Sequence, residues 1–418
     1  SGEFAAGGGQ LEAPRAQILG GSAIDGSNSV MTSVWIGLYT MIHRANTVLA
    51  NAAEVTDNAA LRDRAVAEAK FLRGWAYWEL ASTWGEVPVY TTVVTATDEF
   101  QGKSPVADVY AVAEKDLTEA AAALPASYTG NDLGRATKGA ANAFLGRVYL
   151  QQAKFQQAKT ALNAVITSGL YSLRPDYEDN FKEETEFNSE SVFEVVFVPR
   201  ADNGFNWGGT GDDISQANST VRAQEYSPIQ WRNLIPSNQY INEFETGDTR
   251  YGKSAYQTGD TYAGGNVLTD ADQNGNGSVV NGAPRKVSWR KYTILYKNPT
   301  KTVLTPSGIN MRLMRYSDVL LMMAEAENEL NNAGPAVGYI NQVRARPSVN
   351  LAPVVAATKA AVRTAIMHER FVELGGEQIR DRDVVRWFKA GWVTNDPMPL
   401  HADFLPIPQQ EVDNNPNL

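Results

Sequence analysis

A mostly α scaffold of tetratricopeptide-like helical hairpins, carrying a large loop-rich insert with a few short strands, is the fold class this sequence predicts. Three observations predict it. Apolar residues recur at steps of three and four over long stretches before residue 170 and again after residue 311. Two of these stretches are separated by a turn so short that they must fold back on each other. Between the helical blocks the chain becomes rich in Gly, Asn, Asp, Thr and aromatic residues and loses any long periodic run.

Residues 1–30, rich in Gly, Ser and Ala, read as loop, and Ser1-Gly2-Glu3-Phe4 looks like a vector-derived remnant. A helix is expected from Ser33, where Trp35, Leu38, Tyr39, Ile42, Ala45 and Leu49 share a face. A second spans Leu61–Ser82 along Ala65, Ala69, Leu72, Ala76 and Leu80, with Gly85 and Pro88 ending it. Thr91–Lys103 reads as a linker, and Ser104-Pro105 opens a third helix that stops before Pro125. Gly139–Gln152 and Phe155–Thr167 form the hairpin. Ala140, Phe144, Val148 and Gln151 face Ala158, Leu162 and Val165, and Gly169 caps the end.

Ser191–Val198 is the clear strand of the insert. Beyond the insert, one helix carries Leu313, Tyr316, Leu320, Met323 and Leu330. Gly334-Pro335 is expected to break it before Val337, Ile340 and Val343 begin the next. Lys359–Leu374 and Arg382–Lys389 make a last pair. The chain thus reads as one domain over residues 1–418. A helical scaffold lies at 31–170, the loop-rich insert that should carry binding residues at 171–310, and a second helical block with a tail at 311–418.

Composition removes several function classes. The formal net charge of −10, with no dense Lys/Arg run, argues against nucleic acid as a partner. No stretch approaches the ~18 consecutive apolar residues of a membrane-spanning helix. With no cysteine, these residues hold no disulfide, thiolate nucleophile or Cys-ligated metal. The histidines, His43, His368 and His401, sit in unrelated segments without zinc-ligand spacing, and neither a Gly-x-Ser-x-Gly elbow nor a phosphate loop occurs.

Five segments, in order, carry a resemblance. Ala69-Lys70-Phe71-Leu72-Arg73-Gly74-Trp75-Ala76-Tyr77 leads into Trp84-Gly85-Glu86-Val87-Pro88. Trp231 to Arg250 contains Pro236-Ser237 and Gly247-Asp248-Thr249-Arg250. Arg315-Tyr316-Ser317-Asp318-Val319-Leu320-Leu321-Met322-Met323-Ala324-Glu325-Ala326 precedes Ile340-Asn341-Gln342-Val343-Arg344. Glu369-Arg370-Phe371-Val372-Glu373-Leu374 and Leu405-Pro406-Ile407-Pro408-Gln409-Gln410-Glu411 follow. Together they resemble the SusD/RagB family of surface glycan-binding lipoproteins, over nearly the whole chain. The resemblance implies a non-catalytic protein that captures oligo- or polysaccharide and delivers it to a TonB-dependent, SusC-like transporter. It also implies a cell outer membrane location facing the exterior, through a lipid anchor on a segment absent from this sequence.

The motif residues themselves read as structural. Arg73, Tyr77 and the Trp84–Pro88 turn tie helices to a loop, and Arg315, Asp318 and Glu325 are spaced for buried ion pairs. A sugar presents C–H faces that stack on aromatic rings and hydroxyls that pair with Asn, Asp, Gln and Arg. The insert offers that mixture at Asn206, Trp207, Arg222, Tyr226, Trp231, Tyr262 and Trp289, and by analogy of region Asn28 joins them. Trp207, set among glycines and asparagines, is the leading candidate.

One cation motif occurs. Asp270, Asp272, Asn274, Asn276 and Ser278 place oxygens at alternate positions around Gly275, as in a calcium loop, although Asn281 stands where the closing Glu would be. No other cofactor is expected. Two alternatives remain. One is a SusD-like protein that takes up peptide or another nutrient. The other is an all-α glycoside hydrolase, for which Asp248, Asp212 and Asp213 are the first carboxylates to consider.

Overall fold

The computed structural model describes residues 2–7, 11–20, 24–95, 99–198, 220–275, 278–280, 283–299, 307–394 and 404–418, with backbone alone for 278–280 and 283–285. The chain forms two compact units, Ser1–Gly20 with Tyr171–Pro397, and Gly21–Leu170 with Met398–Leu418. The insert and the helices after it, expected as separate blocks, therefore share one unit.

The chain opens on strand β1 (Phe4–Ala6) and helix α1 (Ala13–Gly20), where the composition predicts loop. The supposed remnant is integral to the fold. Phe4 lies 5.8 Å from the Tyr226 ring and 5.2 Å from Trp289, so burial of an aromatic face orders the segment.

The helical unit follows as α2 (Ser29–Asn51), α3 (Ala59–Thr83), α4 (Val106–Ala123), α5 (Lys138–Gln151) and α6 (Phe155–Thr167), each packed on the next. Asn28, Asn58 and Thr137 cap α2, α3 and α5 by accepting backbone amides of the first turn. Gly146 lets α5 and α6 touch, since a Cβ there would stand 2.6 Å from Leu162 Cδ2. Arg73 joins three helices. It makes a bidentate pair with Asp116 on α4 at 2.7 and 2.9 Å and donates to Asn46 on α2 at 2.6 Å. The Tyr77 hydroxyl donates to the Tyr90 carbonyl and accepts from its amide, both at 2.7 Å.

The second unit holds β2 (Ser191–Val195), α7 (Arg222–Tyr226), β3 (Leu234–Pro236), α8 (Asn238–Glu243), α9 (Arg250–Ser254), β4 (Ala255–Gln257), β5 (Thr261–Tyr262), β6 (Asn266–Val267), β7 (Ser278–Val280), β8 (Ala283–Arg285), β9 (Val287–Trp289) and β10 (Met311–Arg315). The helices α10 (Tyr316–Glu329), α11 (Ala333–Arg344), α12 (Lys359–Leu374) and α13 (Arg380–Lys389) complete it. Strands pair in antiparallel twos, β1 with β3, β2 with β10, β4 with β9, β5 with β6 and β7 with β8. Helix α10 is buried on every side from Tyr316 to Asn328, so it is the central helix of this unit. In the helical unit, α14 (Gln409–Asn414) closes the chain. Leu405 donates its amide to the Thr83 carbonyl at 2.9 Å, and Trp84 Nε1 donates to Pro406 at 3.1 Å.

Two local expectations are corrected. Leu313, expected on the helix, lies in β10, because this segment pairs with β2 before the helix starts at Tyr316. Gly334-Pro335, expected to break a helix, sits in the first turn of α11, where the amide that proline lacks has no intrahelical partner anyway.

Candidate functional site

A buried charge network organises the second unit. Glu373, near the end of α12, accepts from three guanidiniums: Arg315 at 3.0 Å, Arg346 at 2.8 Å and Arg250 at 3.0 Å. Arg315 also holds Glu190 at 2.6 Å and Glu377 at 2.8 Å, and Arg346 holds Glu190 at 2.6 Å. Arg250 forks onto Asp248 and reaches Glu369 at 2.6 Å, which Arg344 meets at 3.1 Å. Lys291 donates to Glu377 at 3.0 Å and to the carbonyls of Glu373 and Gly375 at 3.1 and 2.6 Å. The cations Arg250, Arg315, Arg344, Arg346 and Lys291 thus face the buried carboxylates Asp248, Glu190, Glu369, Glu373 and Glu377, and Arg344 also reaches the more exposed Glu245 at 2.6 Å. Burial pushes the Glu373 carboxyl up, but Arg346, Arg315 and Arg250 outweigh it and hold the group far below the usual carboxylate range. Glu190 is lowered in the same way by Arg346 and Arg315 against its burial. Burial pulls Lys291 down to about 8 although Glu377 opposes it.

The expected ion pairs are also present. Asp318 meets Arg370 at 2.7 Å, and Glu325 receives Arg386 and, at 3.2 Å, the Trp387 indole N–H. Composition concealed most of the larger network. Its acids and bases come from the insert, from β10, and from α11, α12 and the turns that follow them, far apart in sequence. The signal was nonetheless there, in the Gly247-Asp248-Thr249-Arg250 and Glu369–Leu374 motifs.

The aromatic candidates separate into two groups. Tyr226 (1% exposed) and Trp289 (0%) lie together, 6.0 Å apart, in a core cluster with Tyr177, Tyr240, Tyr292 and Phe371. Tyr262 (9%) packs in a second cluster with Ile229, Tyr256, Leu268 and Leu295. A sugar needs an open ring face, so these three rings act as core here and their expected platform role is corrected. Their period was that of short strands and a one-turn helix, too brief to mark an inward side. Burial pushes the Tyr226 hydroxyl up to about 12.

Arg222 and Trp231 are half-buried. The Arg222 guanidinium lies over the Tyr292 ring at 4.8 Å, the geometry of a cation–π contact. Asn28 is buried and accepts from the Val30 and Met31 amides at 3.1 and 3.3 Å, so its side chain serves the α2 cap. Asn206 and Trp207 lie outside the described residues, as do Asp212 and Asp213. Asp248 is closed off from solvent in its pair with Arg250.

In the calcium-loop candidate, Asp272 accepts from the Thr269 amide at 3.0 Å and its hydroxyl at 2.7 Å, forming a capping box. Asp270 accepts from the Thr258 hydroxyl, and the Asn274 amide donates to the Gln230 carbonyl. These side chains are thus directed at three separate partners; Asn276 and the Ser278 side chain lie outside the description. Among the described residues no group of three or more His, Asp or Glu is placed to hold a metal, and no helix is long and apolar enough to cross a membrane.

Comparison with known proteins places this geometry. A model of starch-binding proteins associating with the outer membrane matches residues 18–150, and the SusD family model matches residues 176–403. A SusD-like protein of Formosa agariphila is 27% identical over 414 residues, covering 93% of this chain and 78% of its own. Among solved structures, a SusD superfamily protein of Bacteroides vulgatus superposes with a TM-score of 0.81 at 24% identity, covering 100% of this chain and 90% of that one. A laminarin-binding SusD-like protein reaches 0.78 at 26% identity, covering 99% and 91%. The order of helices and short strand pairs, and the match over more than half the residues, lead to one conclusion: the chain belongs to the SusD family.

Proposed function

We propose that this protein is a non-catalytic carrier at the cell surface that captures oligo- or polysaccharide and passes it to a TonB-dependent, SusC-like transporter at the outer membrane, where a lipid anchor tethers it. The observation that carries this reading is the full-length likeness to a laminarin-binding relative, together with the starch-binding family match. The physical route is preorganisation. The buried ion network fixes the scaffold that presents Arg222 and Trp231, so little ordering entropy of that scaffold is lost on binding. Asn206, Trp207, Arg222 and Trp231 form the proposed ligand face, with indole rings stacking on sugar and the polar groups pairing with hydroxyls. An affinity in the range of about micromolar to millimolar would suit a carrier that must release its cargo. Full ion-pairing of Asp248 supports the non-catalytic reading.

A glycan array followed by calorimetric titration tests it, with a peptide panel alongside and reducing-end detection on each polysaccharide. Trp207→Ala should weaken glycan binding about ten-fold, roughly 1.4 kcal/mol, at an unchanged melting temperature. Absence of binding to every glycan at millimolar concentration, or release of new reducing ends, would sink the carrier reading. The same titrations run with calcium and with chelator test the Asp270–Ser278 loop as a proposed calcium site.

A further inference from the structure

The strand β1 is held in place by one buried acidic residue. Its backbone pairs with β3 in the register Phe4↔Pro236, Ala5↔Ile235 and Ala6↔Leu234. Ser237 donates its amide to the Glu3 carbonyl at 3.0 Å, and Gly7 donates to Asn233 at 3.0 Å. The Phe4 ring packs on Tyr226 and Trp289. Glu3 itself is 1% exposed, and its carboxyl accepts the backbone amide of Gly376. Gly376 sits at φ +85, where a Cβ would stand 2.9 Å from the Trp289 ring, so a glycine is needed for this turn to present its amide. Lys291 clasps the same turn from its carbonyls.

We propose that Glu3 is a pH-operated latch: protonated, it docks β1 against β3 and the Gly376 turn, and ionised, it loosens the strand and frees the Phe4 slot beside Tyr226 and Trp289. The charged and titratable groups facing it come from several elements. Asp381 and Arg380 lie on α13, Lys291 follows β9, Tyr226 is on α7 and Tyr240 on α8. Burial dominates and drives the Glu3 carboxyl up to about 7; Asp381 adds to the rise, while the Gly376 amide, Arg380 and Lys291 oppose it. A carboxyl that binds its proton more tightly docked than free favours docking at low pH. Docking is therefore fullest below the ordinary value of 4.5, weakens as pH rises toward about 7, and stays at the weakened level above it. The change in the docking equilibrium over that window is on the order of a hundred-fold.

Hydrogen exchange followed by mass spectrometry on the whole protein tests this, reading protection factors for the peptide spanning residues 3–7 between pH 5 and pH 8. Each rate is corrected for intrinsic exchange, and a peptide within α5 serves as reference. In the parent chain, protection of residues 3–7 should fall by ten-fold or more relative to α5 as pH rises. Glu3→Gln, which stays neutral and keeps an acceptor for Gly376, should remain docked and show a flat profile. A flat profile in the parent chain, a slope that persists in Glu3→Gln, or loss of protection in Glu3→Gln at every pH would each overturn the latch.

Discussion

Glu373 shows how a single side chain can set the acid stability of this protein. Three guanidiniums share its two oxygens in a site closed to water. Removing one carboxylate from such a group leaves buried positive charge uncompensated, so Glu373→Gln should cost ~3–5 kcal/mol, read from urea denaturation at neutral pH. The pH dependence has a definite sign. The folded chain holds Glu373 and Glu190 below the ordinary glutamate value of 4.5, so it binds their protons less tightly than the unfolded chain does. Their contribution is complete above that value and is lost as pH falls toward the lowered folded values. In Glu373→Gln the acid limb of the stability curve should flatten between pH 5 and 2. An acid limb identical to that of the parent chain would show that the network does not govern acid unfolding. The sequence exposed part of this arrangement, because Arg315, Asp248, Arg250 and Glu373 stand in its recurring motifs. It hid Lys291, Arg346 and Glu190, whose partners lie 86, 27 and 125 residues away.

At the scale of elements, the α5–α6 hairpin was the most legible part of the chain. Its apolar positions repeat over three turns, and the predicted bounds Phe155–Thr167 are those of α6. Close approach rests on Gly146, opposite Leu162. Gly146→Ala gains ~1 kcal/mol of helix propensity but drives a methyl into a side chain that is itself 0% exposed. Overpacking of ~1–3 kcal/mol outweighs that gain. The single variant should therefore melt earlier by calorimetry, and the double variant with Leu162→Ala should lose less than the sum of the two separate losses. Strictly additive losses would mean that the two positions do not meet. The short strands were far less legible. Elements of two to five residues, such as β4, β5 and β9, offer too few positions for a period, and β4 and β9 pair with each other across some thirty residues of intervening chain.

Across the whole molecule, the proposed carrier role makes the formal charge of −10 a selector of which polysaccharides can approach. Stacking and hydrogen bonding act on any sugar, but a polymer of uronic acids must first be brought against a field of its own sign. At low ionic strength a neutral β-glucan should bind more tightly than a uronate oligomer of equal length. The gap should narrow in ~1 M salt, where the screening length falls to about 3 Å. Titration calorimetry at the two salt concentrations checks this; a uronate that binds better at low salt would point to a local basic patch on the ligand face.

What the amino-acid sequence determined alone was the helical scaffold and, through five ordered motifs, the family. Both are written in local terms, as spacing along a helix and as residues that cap, turn or pair within a few positions. The tertiary structure decided the fate of the aromatic residues and the first strand. Whether Tyr226 or Trp289 faces sugar or core depends on what folds over it, here Phe4 and Tyr240 from distant segments. Likewise Glu3, read in the sequence with the supposed remnant, is buried in the fold, where its carboxyl accepts the Gly376 amide. Burial is a property of packed neighbours, and neighbours brought together across hundreds of residues leave no periodic trace in either partner's own stretch of chain.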